Sequence, residues 1–277
     1  MRIALVTPRY PPTHAGGGEI SARLLAEELV TRDIADVTVY SFDGEVEETV
    51  GGITVRRLAD LPQYPYTLPN EIAYRKLKTA DPDCDLFHAY NMHLHAAVGR
   101  LSRRLDTPAV ATLNAYPLVN WSEVGITPSF QRELYERTLL RLERPRLKQQ
   151  MRKIDLLLPL STTVEDVYRE HGFSDADFEV VPNMLDTDFD LPTPDTLSNS
   201  IQLLYVGHLR DTKGVRYLVD AMSSLPSNFE LTIVGGGSEQ SNLEARVDES
   251  PAAKRIVLTG SVPYESVAQA YADADIC

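Results

Sequence analysis

At residues 203–214 the sequence reads Leu203-Leu204-Tyr205-Val206-Gly207-His208-Leu209-Arg210-Asp211-Thr212-Lys213-Gly214. An apolar run that begins at Ile201 stops at Gly207, and apolar residues at helical spacing follow Lys213, so the segment predicts a β-loop-α unit. In open α/β sheets, ligands bind at the carboxyl ends of the strands. Here that end carries Arg210, Lys213 and His208, which favours an anion such as a phosphate group; a solvated loop is the alternative.

The same pattern recurs in the rest of the second half of the chain. The apolar run 229–234 leads into Gly235-Gly236-Gly237, and a strand ending near Leu258 leads into Ser261, Val262 and a helix over 264–272. Glycines that follow a strand let backbone N–H groups approach a ligand closely. Strands that alternate with helices in this way predict an α/β fold with a parallel sheet.

The first half of the chain begins with a strand over 3–7, a proline-rich loop and the run Gly16-Gly17-Gly18, after which a helix starts. These glycines again allow close approach of a ligand to the backbone. A dinucleotide-binding fingerprint needs G-x-G-x-x-G directly after the strand. The glycines here are contiguous and about nine residues past the strand, so the spacing disfavours a dinucleotide oxidoreductase.

Two later strands end on polar side chains. The strand within 85–91 carries His88, and the strand 108–113 is followed by Asn114. Because the carboxyl ends of parallel strands meet at one edge of the sheet, we expect both side chains at one rim. A histidine satisfied within the core is the alternative for His88. Between the strands 37–42 and 52–58 we expect an acidic loop.

Length and charge limit the possible function classes. With 277 residues the chain is long enough for two α/β domains, and the segment 186–200, rich in Asp, Thr, Pro and Ser, predicts a linker between domains 1–185 and 201–277. The net charge of −13 disfavours nucleic acid as a partner. The sequence has no metal-ligand cluster, no signal-peptide pattern and no apolar run of about 18 residues, so we expect a cytoplasmic protein without a metal.

One segment reverses the sign of the overall charge. Residues 129–153 are predicted to be helical and contain eight Lys and Arg residues against three glutamates, with five leucines among them. Such a segment is suited to contact with an anionic membrane surface, which would place the protein at the inner face of the membrane as a peripheral protein. A solvated helix face is the alternative.

Taken together, these segments resemble the retaining glycosyltransferases of family 4, which have the GT-B fold of two Rossmann-like domains facing a cleft. The resemblance covers essentially the whole chain and rests on the order of its motifs. They are Gly16-Gly17-Gly18-Glu19, Phe87-His88-Ala89, Thr112-Leu113-Asn114, Val181-Pro182-Asn183, Tyr205-Val206-Gly207 through Lys213-Gly214, Ile233-Val234-Gly235-Gly236-Gly237 and Leu258-Thr259-Gly260.

The resemblance implies transfer of a sugar from a nucleotide-diphosphate sugar to a hydroxyl of a glycan or lipid-linked acceptor, with retention and without an obligatory metal. Catalysis would fall to Lys213 and Arg210, which neutralise the departing diphosphate. The donor would be bound by Gly16, Gly17, Gly18, His88, Asn114, His208, Gly235, Gly236, Ser261 and Val262. The acceptor would lie on the first domain, where loops 62–70 and 116–127 are rich in Tyr and Pro.

The sequence departs from the family pattern at several positions. His208 stands where the family has arginine, so Arg210 must supply that cation from two residues away, and Asn114 stands where the family has histidine. The family's two glutamates, seven residues apart, would lie beyond Cys277, so we expect an incomplete second domain. A nucleotide-sugar binder or an inactive fragment is therefore one alternative function, and a nucleotide-sugar epimerase of the same fold is another.

Overall fold

A computed structural model describes residues 1–14, 16–91, 93–186 and 200–277, apart from the side chain of Glu265. The chain divides into two compact units, Met1–Leu185 and Asp186–Cys277. Residues 187–199, which make up most of the predicted linker, lie outside the described residues. Among the residues described, no helix combines the length and the apolar character that crossing a membrane requires.

The first unit contains a seven-stranded sheet. Its strands are β1 Arg2–Val6, β2 Asp36–Ser41, β3 Asp43–Val50, β4 Ile53–Asp60, β5 Leu86–Ala89, β6 Ala109–Leu113 and β7 Leu156–Pro159. The order is β3-β4-β2-β1-β5-β6-β7, and every neighbouring pair is parallel except β3 with β4. Its helices are α1 Gly17–Thr31, α2 Thr67–Ala80, α3 His95–Leu105, α4 Phe130–Arg137, α5 Leu139–Met151 and α6 Thr162–Tyr168.

Helices cover both faces of this sheet, as the apolar strands predict. Successive side chains of a strand point to opposite faces. In β1, Ile3 and Leu5 pack in one core cluster with Ala22 of α1, whereas Ala4 and Val6 pack in the other with Leu101 of α3. A strand buried on both sides needs apolar residues at every position, which explains its uninterrupted apolar sequence.

The expected acidic loop after β2 is wrong, because residues 43–50 form strand β3, which runs antiparallel to β4 through a turn at Gly51 and Gly52. Cross-strand ion pairs form between its glutamates and two arginines of β4, Arg56 with Glu47 at 3.0 Å and Arg57 with Glu48 at 2.6 Å. The acidic composition concealed the strand, since the opposite charges that pair with it come from another segment.

The second unit has a parallel three-stranded sheet in the order β10-β9-β8. Its strands are β8 Ile201–Val206, β9 Phe229–Val234 and β10 Ile256–Gly260, and its helices are α7 Val215–Ala221, α8 Gln240–Asp248 and α9 Tyr264–Ala272. The core of this unit lies between sheet and helices, with Ile233 of β9 buried among Val219 of α7 and Leu243 of α8.

In each unit, later strands are added on both sides of the first strand, so the strand order reverses at that strand. In the first unit β1 lies between β2 and β5. In the second unit β8 has β9 on one side, and on the other side Leu203 forms a parallel bridge with Ile276. Crevices at the carboxyl ends of the strands beside such reversals are the usual ligand sites of open α/β sheets. The fold therefore provides one candidate crevice in each unit.

Candidate functional site

In the first unit, the carboxyl ends of β1, β5 and β6 bring three polar side chains together. Asn91, which follows β5, lies against Gly18 of α1, where a Cβ would collide with the Asn91 side chain. Asn91 Nδ2 is 3.4 Å from Oγ1 of Thr7, and Asn91 Oδ1 accepts a hydrogen bond from Asn114. Asn114 Oδ1 is buried and has no hydrogen-bond partner within the described residues. It is therefore an available acceptor.

Two of the three glycines, Gly17 and Gly18, belong to the first helix rather than to a loop in front of it. Helix α1 begins at Gly17, and Gly16 is its N-cap residue, with extended backbone and no side chain to cap the helix. A Cβ at Gly17 would meet nothing within 4 Å, so open space adjoins this position. Helix N-termini present unpaired N–H groups, which attract anions.

His88 lies within the sheet. Its Nε2 is 2.8 Å from Oγ1 of Thr112 on β6, and the Nε2 of His95 is 3.1 Å from the carbonyl oxygen of Thr112. Burial, together with repulsion from His95, lowers the pKa of His88 to about 4. Burial also lowers the pKa of His95 to about 4. Both imidazoles are neutral at neutral pH, and the arrangement favours the core-histidine interpretation of His88.

In the second unit, three loops after the strands are packed tightly on one another. Leu209 N donates to the carbonyl oxygen of Gly236 at 3.1 Å, and Gly235 N donates to that of Gly260 at 2.9 Å. Gly235 has φ +141°, and a Cβ there would collide with the carbonyl oxygen of Gly207. The glycine is therefore required by the packing of backbone against backbone.

Gly236 and Ser261 lie beside each other where two of these loops meet. A Cβ on Gly236 would be 2.5 Å from Oγ of Ser261, so the two residues are in close contact. Ser261 is exposed, and Val262 is partly buried before helix α9 begins at Tyr264. The structure thus brings together Gly235, Gly236 and Ser261, which the sequence had predicted to bind one ligand.

The predicted cations follow β8 on an exposed turn. Asp211–Lys213 form one turn of 3-10 helix, and helix α7 begins only at Val215. Arg210, Lys213 and His208 are all exposed. In the part of the chain that the structure describes, neither Arg210 nor Lys213 forms an ion pair, whereas the neighbouring Asp211 is paired with Arg216. The turn therefore offers two cations that are not neutralised by the described residues.

Sequence reasoning did not select Asn91, although it contacts both Gly18 and Asn114. Asn91 has φ +65°, in the left-handed region, and its side chain is buried. Asparagine adopts this backbone conformation more readily than most residues. An asparagine directly after a strand was the available signal.

A buried arginine joins the loops that were predicted to face the acceptor. Arg132 of α4 is 1% exposed, and its Nη2 donates to the carbonyl oxygens of Pro117 at 3.2 Å and Val119 at 3.0 Å. From α5, Glu143 accepts a hydrogen bond at 2.7 Å from N of Thr67, the first residue of α2. The expected loop 62–70 is therefore wrong at 67–70, which are helical. Helices α4 and α5 therefore hold both loops in place.

A small cavity lies between these loops. It is lined by Tyr66, Asn70, His93, His95, Ala96, Pro117, Leu118, Leu147 and Met151. The Nδ1 atom of His93 is buried without a hydrogen-bond partner among the described residues. Burial, with repulsion from His95, lowers the pKa of His93 to about 3, so that this imidazole is neutral as well. Among the residues described, no group of three or more His, Cys, Asp or Glu side chains could hold a metal ion.

Comparison with known proteins identifies the family. Residues 15–189 match the sequence profile of Glycosyltransferase Family 4, and residues 189–277 match that of Glycosyl transferases group 1. The chain is 24% identical over 297 aligned residues to the uncharacterized glycosyltransferase MJ1607 of Methanocaldococcus jannaschii, a match that covers 100% of this chain and 73% of that protein.

Two solved structures show the same fold. Sucrose-phosphate synthase from Thermosynechococcus elongatus superposes with a TM-score of 0.79 at 21% identity, covering 100% of this chain and 74% of that one. Anabaena Alr3699/HepE in complex with UDP-glucose superposes with a TM-score of 0.71 at 18% identity, covering 100% and 73%. The expected GT-B architecture of two Rossmann-like domains is confirmed. On these matches, the chain belongs to Glycosyltransferase Family 4.

Proposed function

We propose that the protein transfers a sugar from a nucleotide-diphosphate sugar to an acceptor hydroxyl, with retention and without an obligatory metal. The observation that carries the proposal is the exposed turn after β8, where Arg210 and Lys213 are not neutralised by the described residues. Departure of a nucleoside diphosphate develops negative charge, and fixed cations and N–H donors stabilise such charge. The complex of HepE with UDP-glucose supports this class of donor.

The first unit carries neutral groups that suit other parts of a nucleotide sugar. Asn114 Oδ1, buried and without a partner in the described residues, suits a hydroxyl of the donor sugar. The open space at Gly17, in the first turn of α1, suits a phosphate group. The acceptor would be a glycan or a lipid-linked sugar held near residues 62–70 and 116–127. Retention is the stereochemistry that the family resemblance implies.

The test compares Lys213→Ala with Lys254→Ala, which removes another exposed lysine of the same unit. The measurement is release of nucleoside diphosphate from a panel of nucleotide sugars, each assayed with a panel of acceptor sugars. Lys213→Ala should lower turnover by about 100-fold or more, and Lys254→Ala should leave it unchanged. Equal rates for the two variants would remove Lys213 from the mechanism.

Calorimetry with nucleoside diphosphates distinguishes a transferase from a binder. Under the proposal, one nucleotide binds, and turnover is detected with at least one acceptor. Binding that is weakened by Lys213→Ala, with no turnover for any pair in the panel, would favour the alternative of a nucleotide-sugar binder. Turnover that needs no acceptor and converts one nucleotide sugar into another would favour an epimerase.

A further inference from the structure

Helices α4 and α5 expose large apolar side chains to solvent. Phe130 is 80% exposed and Leu142 is 79% exposed, and Leu134 and Leu139 are each at least half exposed. We call these four residues the α4–α5 patch. Scattered exposed apolar residues are ordinary. Here they come in pairs at helical spacing, Phe130 with Leu134 on α4 and Leu139 with Leu142 on α5, so that each helix presents an apolar face to solvent, as a binding surface does.

The opposite faces of both helices are fixed to the first unit, so the exposed faces are well defined. In α4, Phe130 and Leu134 are four residues apart and share a face, while Arg132 and Glu136 are buried on the other side. In α5, Leu140, Leu147 and Met151 are buried. Leu142 therefore lies on the solvent face of α5.

The structure divides the predicted basic run into cations that are bonded within the first unit and cations that are not. Arg132 is buried, Lys148 donates to the carbonyl oxygen of His171, and Arg152 donates to that of Gly172. Arg141 and Arg146 are exposed on α5 on either side of Leu142 in the sequence, and they form no ion pair within the described ranges of the chain. Part of the basic run therefore stabilises the fold, and Arg141 and Arg146 remain available to a ligand.

We propose that the α4–α5 patch, with Arg141 and Arg146, docks the protein on an anionic lipid surface. Apolar side chains flanked by cations are suited to the interface of an anionic bilayer, where the side chains enter the acyl boundary and the cations meet lipid headgroups. The proposal does not depend on the transfer reaction.

The charge pattern favours lipid over a second copy of the chain. A two-fold dimer through this patch would place the same surface on both sides of the interface. Arg141 and Arg146 of both copies would then share one interface, and like charges gathered in a desolvated interface oppose association. Anionic headgroups neutralise these arginines instead. The net charge of −13 opposes contact with an anionic membrane elsewhere on the protein, so binding should be confined to this patch.

The experiment is co-sedimentation of the whole chain with two kinds of vesicle, phosphatidylcholine alone and phosphatidylcholine with about one third phosphatidylglycerol. The wild type should sediment with the anionic vesicles and much less with the neutral ones. Phe130→Ser/Leu142→Ser should weaken binding about tenfold or more, because these side chains no longer enter the bilayer. Arg141→Gln/Arg146→Gln should weaken binding to anionic vesicles about tenfold and reduce its dependence on salt.

Two matched control variants distinguish docking through the α4–α5 patch from nonspecific adsorption to vesicles. Ile34→Ser/Val46→Ser removes other exposed apolar residues of the first unit, and Arg103→Gln/Arg104→Gln removes exposed cations of α3. Both should bind like the wild type, and circular dichroism melts should show all variants folded. No binding to anionic vesicles, or equal losses in the controls, would overturn the proposal. So would a dimer in analytical ultracentrifugation that Phe130→Ser/Leu142→Ser converts to monomer.

Discussion

The two units place chemically different groups at the same position of the same fold. In Met1–Leu185, the polar side chains beside β1 are buried and hydrogen-bonded within the unit: Asn91 accepts a hydrogen bond from Asn114, and the neutral imidazole of His88 lies 2.8 Å from Oγ1 of Thr112. In Asp186–Cys277, the turn after β8 presents the exposed cations Arg210 and Lys213 on loops whose glycines pack backbone against backbone.

This difference suits the two units to different chemical groups. Buried neutral groups are held in one geometry and suit recognition of hydroxyl groups. Exposed cations keep their charge and suit attraction of a diphosphate. Attraction by charge alone does not distinguish one nucleoside diphosphate from another. Replacing buried polar residues of the first unit should therefore lower stability. Replacing cations of the second unit should lower activity.

The largest effect of a single substitution on stability is expected for Arg132→Ala. Arg132 and Glu136 form a buried ion pair at 2.6 Å, and removal of the arginine leaves Glu136 without its partner. The free energy of unfolding should fall by about 3 to 5 kcal/mol. The matched control is Arg137→Ala, which breaks an exposed pair with Glu133 on the same helix and should cost less than about 1 kcal/mol. Denaturant unfolding measures the free energy of unfolding of both variants. Similar losses for the two would show that the buried ion pair contributes no more than the exposed one.

The next effect is a loss of stability in mild acid. The pKa values of His88 and His95 fall from 6.5 to about 4 on folding, so the unfolded chain takes up these protons first as the pH decreases. Stability should be complete above pH 6.5 and should fall progressively towards pH 4, by up to about 3 kcal/mol for each histidine.

Hydrogen exchange at about pH 7 and about pH 4.5 locates this effect. Amides of β5 and β6 should lose protection, while those of β8 and β9 should change less, because the second unit contains one histidine, the exposed His208. Equal losses in both units would show that the buried histidines are not responsible.

A smaller loss is expected for Gly235→Ala in the second unit. Its φ of +141° is strained for any residue with a Cβ, and the added methyl group would displace the loop at Gly207. The backbone strain alone should cost about 1 to 3 kcal/mol. Gly236→Ala is the control, because its methyl group would meet chiefly the Ser261 side chain, which can rotate. Thermal unfolding should rank Gly235→Ala well below Gly236→Ala, and the reverse order would refute the packing argument.

The smallest effect on stability is expected for Gly17→Ala. A Cβ there meets nothing within 4 Å, and alanine favours the helix, so stability should be unchanged or higher by up to about 1 kcal/mol. If the donor diphosphate lies against this backbone, affinity for the nucleotide sugar should nevertheless fall. Calorimetry of the folded variant measures that affinity. Unchanged binding would exclude Gly17 from the donor site. The glycine run would then serve only the packing of the first unit.

The sequence pattern predicted a helix or strand correctly where the apolar residues of that helix or strand determine which of its faces is buried. Helix α9, expected over 264–272, is observed at Tyr264–Ala272, and each glycine run follows its strand as expected. The expected acidic loop between β2 and β4 was wrong because β3 is stabilised by arginines of another strand. The single helix expected over 129–153 breaks at Thr138, whose ψ of −95° is not helical, into α4 and α5.

The sequence by itself determined the α/β class, the parallel strands of both sheets and the family, because periodicity and the order of motifs are properties of the chain alone; it did not determine the antiparallel strand β3. The tertiary structure decided which groups are available for chemistry. Asn114 donates a hydrogen bond to Asn91, which is 23 residues away in the sequence. Within the same basic run, Arg132 is buried whereas Arg141 is exposed to solvent. Burial and partners depend on contacts between distant segments, and those contacts form only when the chain is folded.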